Sequence, residues 1–324
     1  MKKLFIAVLV LAVALLSACA VKESNVQDEL QPVSIMTLKG PAGMGMVKMI
    51  DEAAKDTNSN YSFQIVGSPD VIVAALSNGQ ADVAALPSNL AAKLYNKTDG
   101  EIILLAINNL GSLYILENGN TINSFSDLQG KTIYATGQGA NPQYILEFLL
   151  AQSGLEIGKD VNVVYKSEHS ELAALMASDE VDIAMLPEPF ISTVISKNPD
   201  IRIALDLNDQ WQQYTGTKLS MSSIVARKSF VKANKQTVTQ LLKDLAASSE
   251  YAENNVSETA KLCAQYGIID NAAIAKQSIP NCGLTFISGK QMETALKGYY
   301  SMLLSVDQAS IGGELPKEDF YYTK

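Results

Sequence analysis

Residues 73–95 read VAALSNGQADVAALPSNLAAKLY, and residues 172–195 read LAALMASDEVDIAMLPEPFISTVI. Both stretches run from an alanine- and leucine-rich segment of helical type, through a short polar turn, to Asp82 or Asp182. Each aspartate precedes a short apolar strand that ends in Leu-Pro, and a new helical pattern follows. Two such units, roughly a hundred residues apart, predict two α/β lobes built on one plan.

Each unit is preceded by a strand, a glycine-containing turn and a helix. Strands are predicted at residues 33–38 and 132–135, with turns at 39–45 and 136–142. Loops at the carboxyl ends of strands border the ligand crevice of an open α/β sheet, and the following helices point free N–H groups into it. Neither turn has the glycine spacing of a dinucleotide fingerprint or a P-loop. The alternative is a tight turn that needs glycine for steric reasons alone.

The last hundred residues change in character. Residues 206–214 are predicted to form a polar loop that holds Asp206, Trp211 and Tyr214. After a strand at residues 222–226 the pattern is helical, with irregular chain from residue 312 onwards.

The amino-terminal residues are typical of an export signal. Residues 1–18 join a basic start to an apolar run too short to cross a membrane comfortably. Small residues before Cys19 resemble the bacterial lipoprotein signal, in which that cysteine is lipidated after cleavage. Palmitate-like acyl chains would then be the only membrane anchor. The alternative is an ordinary secretory signal. Residues 19–32 are predicted to be a flexible tether.

Composition excludes several classes of function. The formal charge of the 324-residue chain is −9 and no Lys/Arg cluster is present, which argues against a nucleic-acid partner. No ligand spacing supports a metal site or a cofactor, and the single histidine, His169, is interpreted as a loop residue without a role. Cys263 and Cys282 are either a disulfide, which export would permit, or two buried free thiols.

The order of these segments resembles that of a known family. The segments that carry the resemblance are residues 38–45, 79–84, 127–131 (DLQGK) and 182–189. With the lipoprotein-like start, the chain resembles the solute-binding proteins of ABC importers with the type II periplasmic-binding-protein fold. It is most similar to their nitrate, sulfonate, taurine and thiamine-precursor branch.

This resemblance implies a division of the chain. Lobe 1 would comprise residues 33–110 and 222–324, and lobe 2 residues 111–221, joined by two hinge strands at 111–116 and 221–226. The lobes would close on a small solute. Helix N-termini near Gly43, Ser88, Ala140 and Pro189 would then converge on one cleft and favour an anionic group there.

Ten residues on these loops are predicted to bind the ligand. They are Lys39, Met44, Ser68, Ser88, Asn89, Asn108, Gln138, Asn141, Glu188 and Trp211. Glu188 does not suit a simple anion site, and it is predicted to pair with an amino group of a zwitterionic or amino-heterocyclic solute. Its alternative role is a first-turn acid that complements a helix dipole. Trp211 could stack on a flat ligand or be a surface or core residue of its loop.

The predicted function is an extracytoplasmic, lipid-anchored receptor that works as a monomer. It would deliver a small polar, sulfonate- or taurine-like solute to the permease and ATPase of an ABC importer. The alternative is an exported enzyme of the same fold that acts on a heterocyclic precursor. The chain lacks the nucleophile–base pair or metal cluster that such an enzyme needs.

Overall fold

The computed structural model of the protein describes residues 30–323. The predicted signal segment, Cys19 and all but the last residues of the predicted tether lie outside the described residues. Residues 31–324 form one compact unit. None of the helices in the described part is long and apolar enough to cross a membrane.

Eleven strands in the described part form two sheets. The first sheet has the order β11-β4-β10-β3-β1-β2, and the second has the order β7-β6-β8-β5-β9. The strands are β1 Val33–Leu38, β2 Tyr61–Val66, β3 Val83–Pro87, β4 Ile102–Leu110, β5 Leu113–Asn118, β6 Thr132–Ala135, β7 Asn162–Tyr165, β8 Ile183–Pro187, β9 Ile201–Asp206, β10 Ser220–Arg227 and β11 Leu284–Ser288.

The two sheets share one plan, as the repeat predicts. β2, β1 and β3 run parallel, as do β7, β6 and β8, and an antiparallel strand follows each triplet. That strand is β10 in the first sheet, where Ser222 pairs with Pro87, and β5 in the second, where Leu113 pairs with Pro187. The two Leu-Pro ends therefore occupy equivalent positions, which confirms the prediction of two similar α/β lobes.

Thirteen α-helices of the described residues cover the sheets. They are α1 Pro41–Met44, α2 Val47–Lys55, α3 Pro69–Asn78, α4 Ser88–Lys97, α5 Asn141–Gln152, α6 His169–Ala177, α7 Phe190–Lys197, α8 Leu207–Thr215, α9 Lys228–Ala233, α10 Lys235–Asn254, α11 Val256–Gln265, α12 Ala272–Ser278 and α13 Gly289–Val306. Short 3-10 turns occupy Phe125–Leu128, Ile279–Asn281, Gln308–Ile311 and Glu318–Phe320.

The chain passes between the sheets at two places. The first passage joins β4 to β5 through Gly111 and Ser112, and the second joins β9 to β10 through α8. The strands predicted as hinges each lie in a single sheet, because β5 belongs to the second and β10 to the first. The lobe boundaries and the position of the hinge stay predictions.

The predicted polar loop at residues 206–214 is wrong, because this segment is the helix α8. Asp206 caps its start, where the carboxylate accepts hydrogen bonds from the Asn208 and Asp209 amides. Gly216 ends it in the left-handed conformation, at a φ of 71° that glycine adopts without strain. The helix turns Trp211 into the core.

One cluster of buried apolar side chains runs through both lobes. It includes Leu86 of β3 in the first sheet and Ile133 of β6 in the second. The carboxy-terminal helix α13 packs on α4 and β10 of the first lobe and also on α5 of the second. The lobes are therefore held together on this side by shared core, and the concave site lies elsewhere.

Candidate functional site

A cleft of about 880 Å³ lies where the loops of the two sheets meet. The first sheet contributes the β1–α1 turn, Gly67, Pro69 and Pro87, and the second contributes the β8–α7 turn and one face of α7. Residues 268–271 and Ile274, between α11 and α12, form a further wall. This volume lies within the roughly 300–1,000 Å³ of small-molecule sites.

The glycine turn after β1 serves both of the roles considered from the sequence. A Cβ atom at Gly43 would lie 2.6 Å from the Leu38 carbonyl oxygen, so glycine is required there for steric reasons. The same turn places Lys39, Gly40 and Pro41 on the cleft wall. The Gly40 amide donates to the Ile268 carbonyl at 3.0 Å and thereby ties the turn to the α11–α12 segment.

Glu188 is the buried carboxylate of the cleft, and its residue is only 2% exposed. Oε2 accepts a hydrogen bond from the Ser192 amide at 3.0 Å, and Oε1 accepts one from the Ser192 hydroxyl at 3.0 Å. The Asn281 side chain donates to Oε1 at 3.5 Å. Burial raises the pKa of this carboxyl, against the hydrogen bonds from Ser192 and Asn281 that lower it.

The contact with Ser192 also determines what the start of α7 can bind. The Glu188 carboxylate occupies the Ser192 amide, which is one of the free donors at the start of this helix. This is the dipole-complementing role considered from the sequence. An anionic ligand group at this helix end would meet the Glu188 carboxyl group.

Two polar groups lie at the bottom of the cleft beside Glu188. The Ser112 carbonyl accepts a hydrogen bond from the Glu188 amide at 2.9 Å. The Ser112 hydroxyl makes no hydrogen bond within residues 30–323. The Asn109 side chain donates to the Cys282 carbonyl, which fixes the bottom of the cleft to the segment before β11. An unpaired hydroxyl at such a position can donate to or accept from a ligand.

His169 and Phe190 form an aromatic pair on the second-lobe wall. Their ring centroids lie 5.1 Å apart, and His169 Nδ1 shares a 2.6 Å hydrogen bond with the Thr136 hydroxyl. Burial lowers the pKa of His169, so the ring is predominantly neutral near pH 7. His169 was expected to be a loop residue without a role; it begins α6 and lines the cleft.

Of the ten residues predicted to bind ligand, Lys39 and Glu188 line this cleft. Two others support its walls. Asn108 is buried, donates to the Ala42 carbonyl at 2.9 Å and accepts from the Ser222 hydroxyl at 2.8 Å. The Ser68 side chain accepts from the Asp70 amide and so caps α3 beside the cleft.

The other six predicted residues do not line this cleft. Met44 and Trp211 are core residues, and Ser88 is buried against the hydroxyls of Ser220 and Ser223. The Asn89 side chain donates to the Ser310 carbonyl at 3.4 Å. Gln138 is exposed, and Asn141 is buried with its side-chain oxygen unpaired. Three of the four helix starts expected at the cleft do border it, through Pro41, Pro87 and Pro189, whereas the start of α5 at Asn141 does not line it.

Sequence reasoning missed the wall formed by Ile268, Ile269 and Ile274. Helical periodicity does not distinguish a ligand wall from ordinary core, and this segment reaches the cleft through contacts far away in sequence. The Tyr114 hydroxyl donates to the Asn281 carbonyl at 3.0 Å, and α12 packs on α7. For the opposite wall one signal was available in the sequence, because Phe190 directly follows Glu188 and Pro189 of the second repeat.

The two cysteines bracket this segment as buried free thiols. Burial raises the pKa of Cys263 to about 12 and that of Cys282 well above its ordinary value. Because the thiolate is the reactive form, we expect iodoacetamide to leave both residues unmodified in the folded protein and to alkylate both after unfolding. Peptide mass mapping measures this. A peptide pair joined through Cys263 and Cys282 under non-reducing conditions would show the disulfide instead.

A family profile described as "ABC transporter, phosphonate, periplasmic substrate-binding protein" matches residues 46–277. The chain belongs to this family. It is therefore an ABC-transporter substrate-binding protein of the periplasmic type and not an enzyme. The family resemblance and the fold expected from the sequence are thereby confirmed.

Individual relatives are similar to the chain at low sequence identity, and two of them are solved structures. YtlA of Bacillus subtilis (strain 168), named as a binding protein, is 20% identical over 244 residues, which cover 74% of this chain and 70% of YtlA. An ABC transporter structure from Parabacteroides distasonis is 24% identical with a TM-score of 0.79, covering 91% of this chain and 99% of that one. The periplasmic aliphatic sulphonate binding protein of Escherichia coli is 17% identical with a TM-score of 0.67, covering 89% and 93%.

Among residues 30–323 no cluster of His, Cys, Asp and Glu side chains could hold a metal ion. The residues that line the cleft offer hydrogen-bonding, charged and apolar groups to a ligand.

Proposed function

We propose that the solute of this receptor is a small zwitterion in which an amino group is joined to a sulfonate or a similar tetrahedral oxyanion. The observation that carries this proposal is the Glu188 carboxylate, which lines the cleft, is buried, and has no cationic partner within residues 30–323. Buried carboxylates in proteins are normally paired, because leaving one uncompensated is costly. A ligand ammonium at Glu188 would supply the missing charge.

The anionic half of the solute has cations available on the same cleft. Lys39 makes only a 3.9 Å contact with Asp270, and both side chains are largely exposed. Lys197 lies at the far end of α7 and forms no ion pair with a described residue. Exposed or unpaired lysines of this kind can turn toward a bound oxyanion. The names of the family and of the sulphonate-binding relative, which refer to phosphonate and sulphonate, support this half of the proposal.

The wider role follows the family. The receptor would close its two lobes on the solute and present it to the permease and ATPase of an ABC importer. We propose that it acts as a monomer outside the cytoplasmic membrane, anchored through acyl chains on Cys19. An amino-heterocyclic solute is the second form of ligand that Glu188 suits, and the His169–Phe190 pair offers a surface for a flat ring.

The proposal can be tested by comparing the affinities of taurine, of ethanesulfonate, which lacks the amino group, and of ethylamine, which lacks the sulfonate. Ethanesulfonate leaves Glu188 unpaired, so we expect it to bind about ten- to hundredfold more weakly than taurine, the value of one charged hydrogen bond. Glu188→Gln should lower the affinity for taurine by a similar factor and leave the affinity for ethanesulfonate unchanged. Isothermal titration calorimetry measures all six affinities.

Glu156→Gln is the matched control, because Glu156 is an exposed carboxylate of the same lobe that pairs with Lys159. It should leave every affinity unchanged. Taurine binding that is equally tight in the wild type and in Glu188→Gln would refute the pairing of Glu188 with an ammonium group.

A further inference from the structure

The cleft has an apolar half that the zwitterionic head groups do not use. Phe190 and Ile274 are half-buried side chains that face the cleft from opposite lobes, and Ile268 and Ile269 line it beside them. We call these four residues the apolar subsite. Large apolar side chains gathered in one concavity are characteristic of ligand sites, since single exposed ones are scattered over most proteins.

The subsite is built from both lobes and is fixed in position. α12, which carries Ile274, packs against α7, which begins at Phe190. The Ile268 carbonyl accepts a hydrogen bond from the Gly40 amide, which ties this wall to the β1–α1 turn. These contacts hold the walls of the subsite in place, and hydrocarbon surface of a ligand buried between them adds to affinity in proportion to its area.

The subsite lies between the charged groups of the proposed site. Glu188 precedes α7 and Lys197 is its last residue, so the two are separated by the length of the helix, roughly 12 Å at 1.5 Å per residue. Phe190 and Thr193 line the cleft along that length. A two-carbon compound such as taurine is much shorter than this helix and would leave the apolar walls along it unfilled.

We propose that the apolar subsite holds a hydrocarbon portion of the solute, so that the transported compound is an amphiphilic amino-oxyanion with more than two carbons between or beside its charged groups. This inference rests on the proposed function, because it takes the amino group to be at Glu188. It adds a specificity for length that the family relationship does not supply.

The test is a homologous series of ω-aminoalkanesulfonates with two to six methylenes, titrated by calorimetry. We expect affinity to rise about fourfold per methylene until the subsite is filled, the value of one buried CH₂ group. Ile274→Ser and, separately, Phe190→Ser should flatten this dependence. Ile157→Ser, which replaces an isoleucine exposed on the second lobe, should keep the full dependence.

The possible outcomes separate the two proposals. A wild-type series without chain-length dependence, or one whose dependence survives both Ile274→Ser and Phe190→Ser, overturns the subsite. Glu188→Gln should weaken every member by the same factor; if the chain-length dependence is present but Glu188→Gln has no effect, the subsite stands and the amino-group assignment fails. Absence of binding across the whole series overturns both.

Discussion

Replacing Trp211 with alanine should lower the free energy of unfolding by about 3–5 kcal/mol, the usual cost of removing a large aromatic side chain from a core. Trp211 is 0% exposed. Its ring lies 5.2 Å from that of Phe148 on α5 and 5.9 Å from that of Tyr299 on α13. The substitution therefore opens a cavity at the place where α8, the second lobe and the carboxy-terminal helix meet.

Trp211→Phe is the matched variant. It keeps one aromatic ring at the site but loses the 3.3 Å hydrogen bond from the indole Nε1 to the Thr217 hydroxyl and leaves a smaller cavity, so the expected loss is about 1–2 kcal/mol. Urea unfolding has to be followed by circular dichroism, because Trp211 is the chain's single tryptophan and both variants lack its fluorescence. A Trp211→Ala loss below that of Trp211→Phe would contradict the core assignment, and a ligand role would then have to be reconsidered.

Trp211 also shows what the sequence could and could not predict. The single tryptophan stood in a polar stretch, which favoured a loop at the ligand. The capping signals around it, Asp206 at one end and Gly216 at the other, are those of a helix, and a helix brings one side of that stretch into the core. For this segment the capping residues Asp206 and Gly216 were a better guide to secondary structure than its polar composition.

The strands were predictable where the pattern is local. β1 and β6 begin and end at the residues expected, because each is a short apolar run closed by a turn signal. The Leu-Pro repeat even gave the equivalence of Pro87 and Pro187. β11 was missed, since it pairs with β4 at the sheet edge and its sequence merges into the helical pattern around it.

The site was less predictable, because its walls are brought together by long-range packing. Glu188 was predicted because it directly follows the Leu-Pro end of the second repeat, whereas its contact Asn281 is 93 positions away. Loop order in an α/β sheet predicts which turns border a crevice, and it assigned Lys39 and Glu188 to the cleft. Loop order could not indicate that the Ser88 and Asn89 side chains form hydrogen bonds inside the protein instead of facing the cleft.

Replacing Glu117 with glutamine should destabilise the protein by about 3 kcal/mol at pH 7, and the difference should shrink in acid. The Glu117 side chain is 4% exposed on β5, and its carboxylate accepts from the Thr121 amide at 2.7 Å and from Arg202 Nη2 at 2.6 Å. The Thr121 hydroxyl and the Ile122 amide donate to it as well. The glutamine amide has one acceptor oxygen, and its NH₂ group would face the groups that donate to the Glu117 carboxylate. At least one charged hydrogen bond worth about 1.5–3 kcal/mol is therefore lost, and a donor remains unpaired.

The pH dependence follows from the direction of the pKa. Burial raises the pKa of Glu117, but the hydrogen bonds from Thr121, Ile122 and Arg202 outweigh it and hold the pKa below its ordinary value. A carboxyl whose pKa is lower in the folded protein contributes stability above its unfolded pKa of about 4.3 and loses it as the pH falls through the folded value. The stability gap between the wild type and Glu117→Gln, measured by urea unfolding from pH 7 to pH 3, should therefore stay constant down to about pH 4.5 and then narrow. Glu171→Gln, at a half-exposed carboxylate 3.5 Å from Lys166, should change stability by less than about 1 kcal/mol at every pH. A gap that stays constant through pH 3 would mean that the ionised form of Glu117 is not the stabilising one.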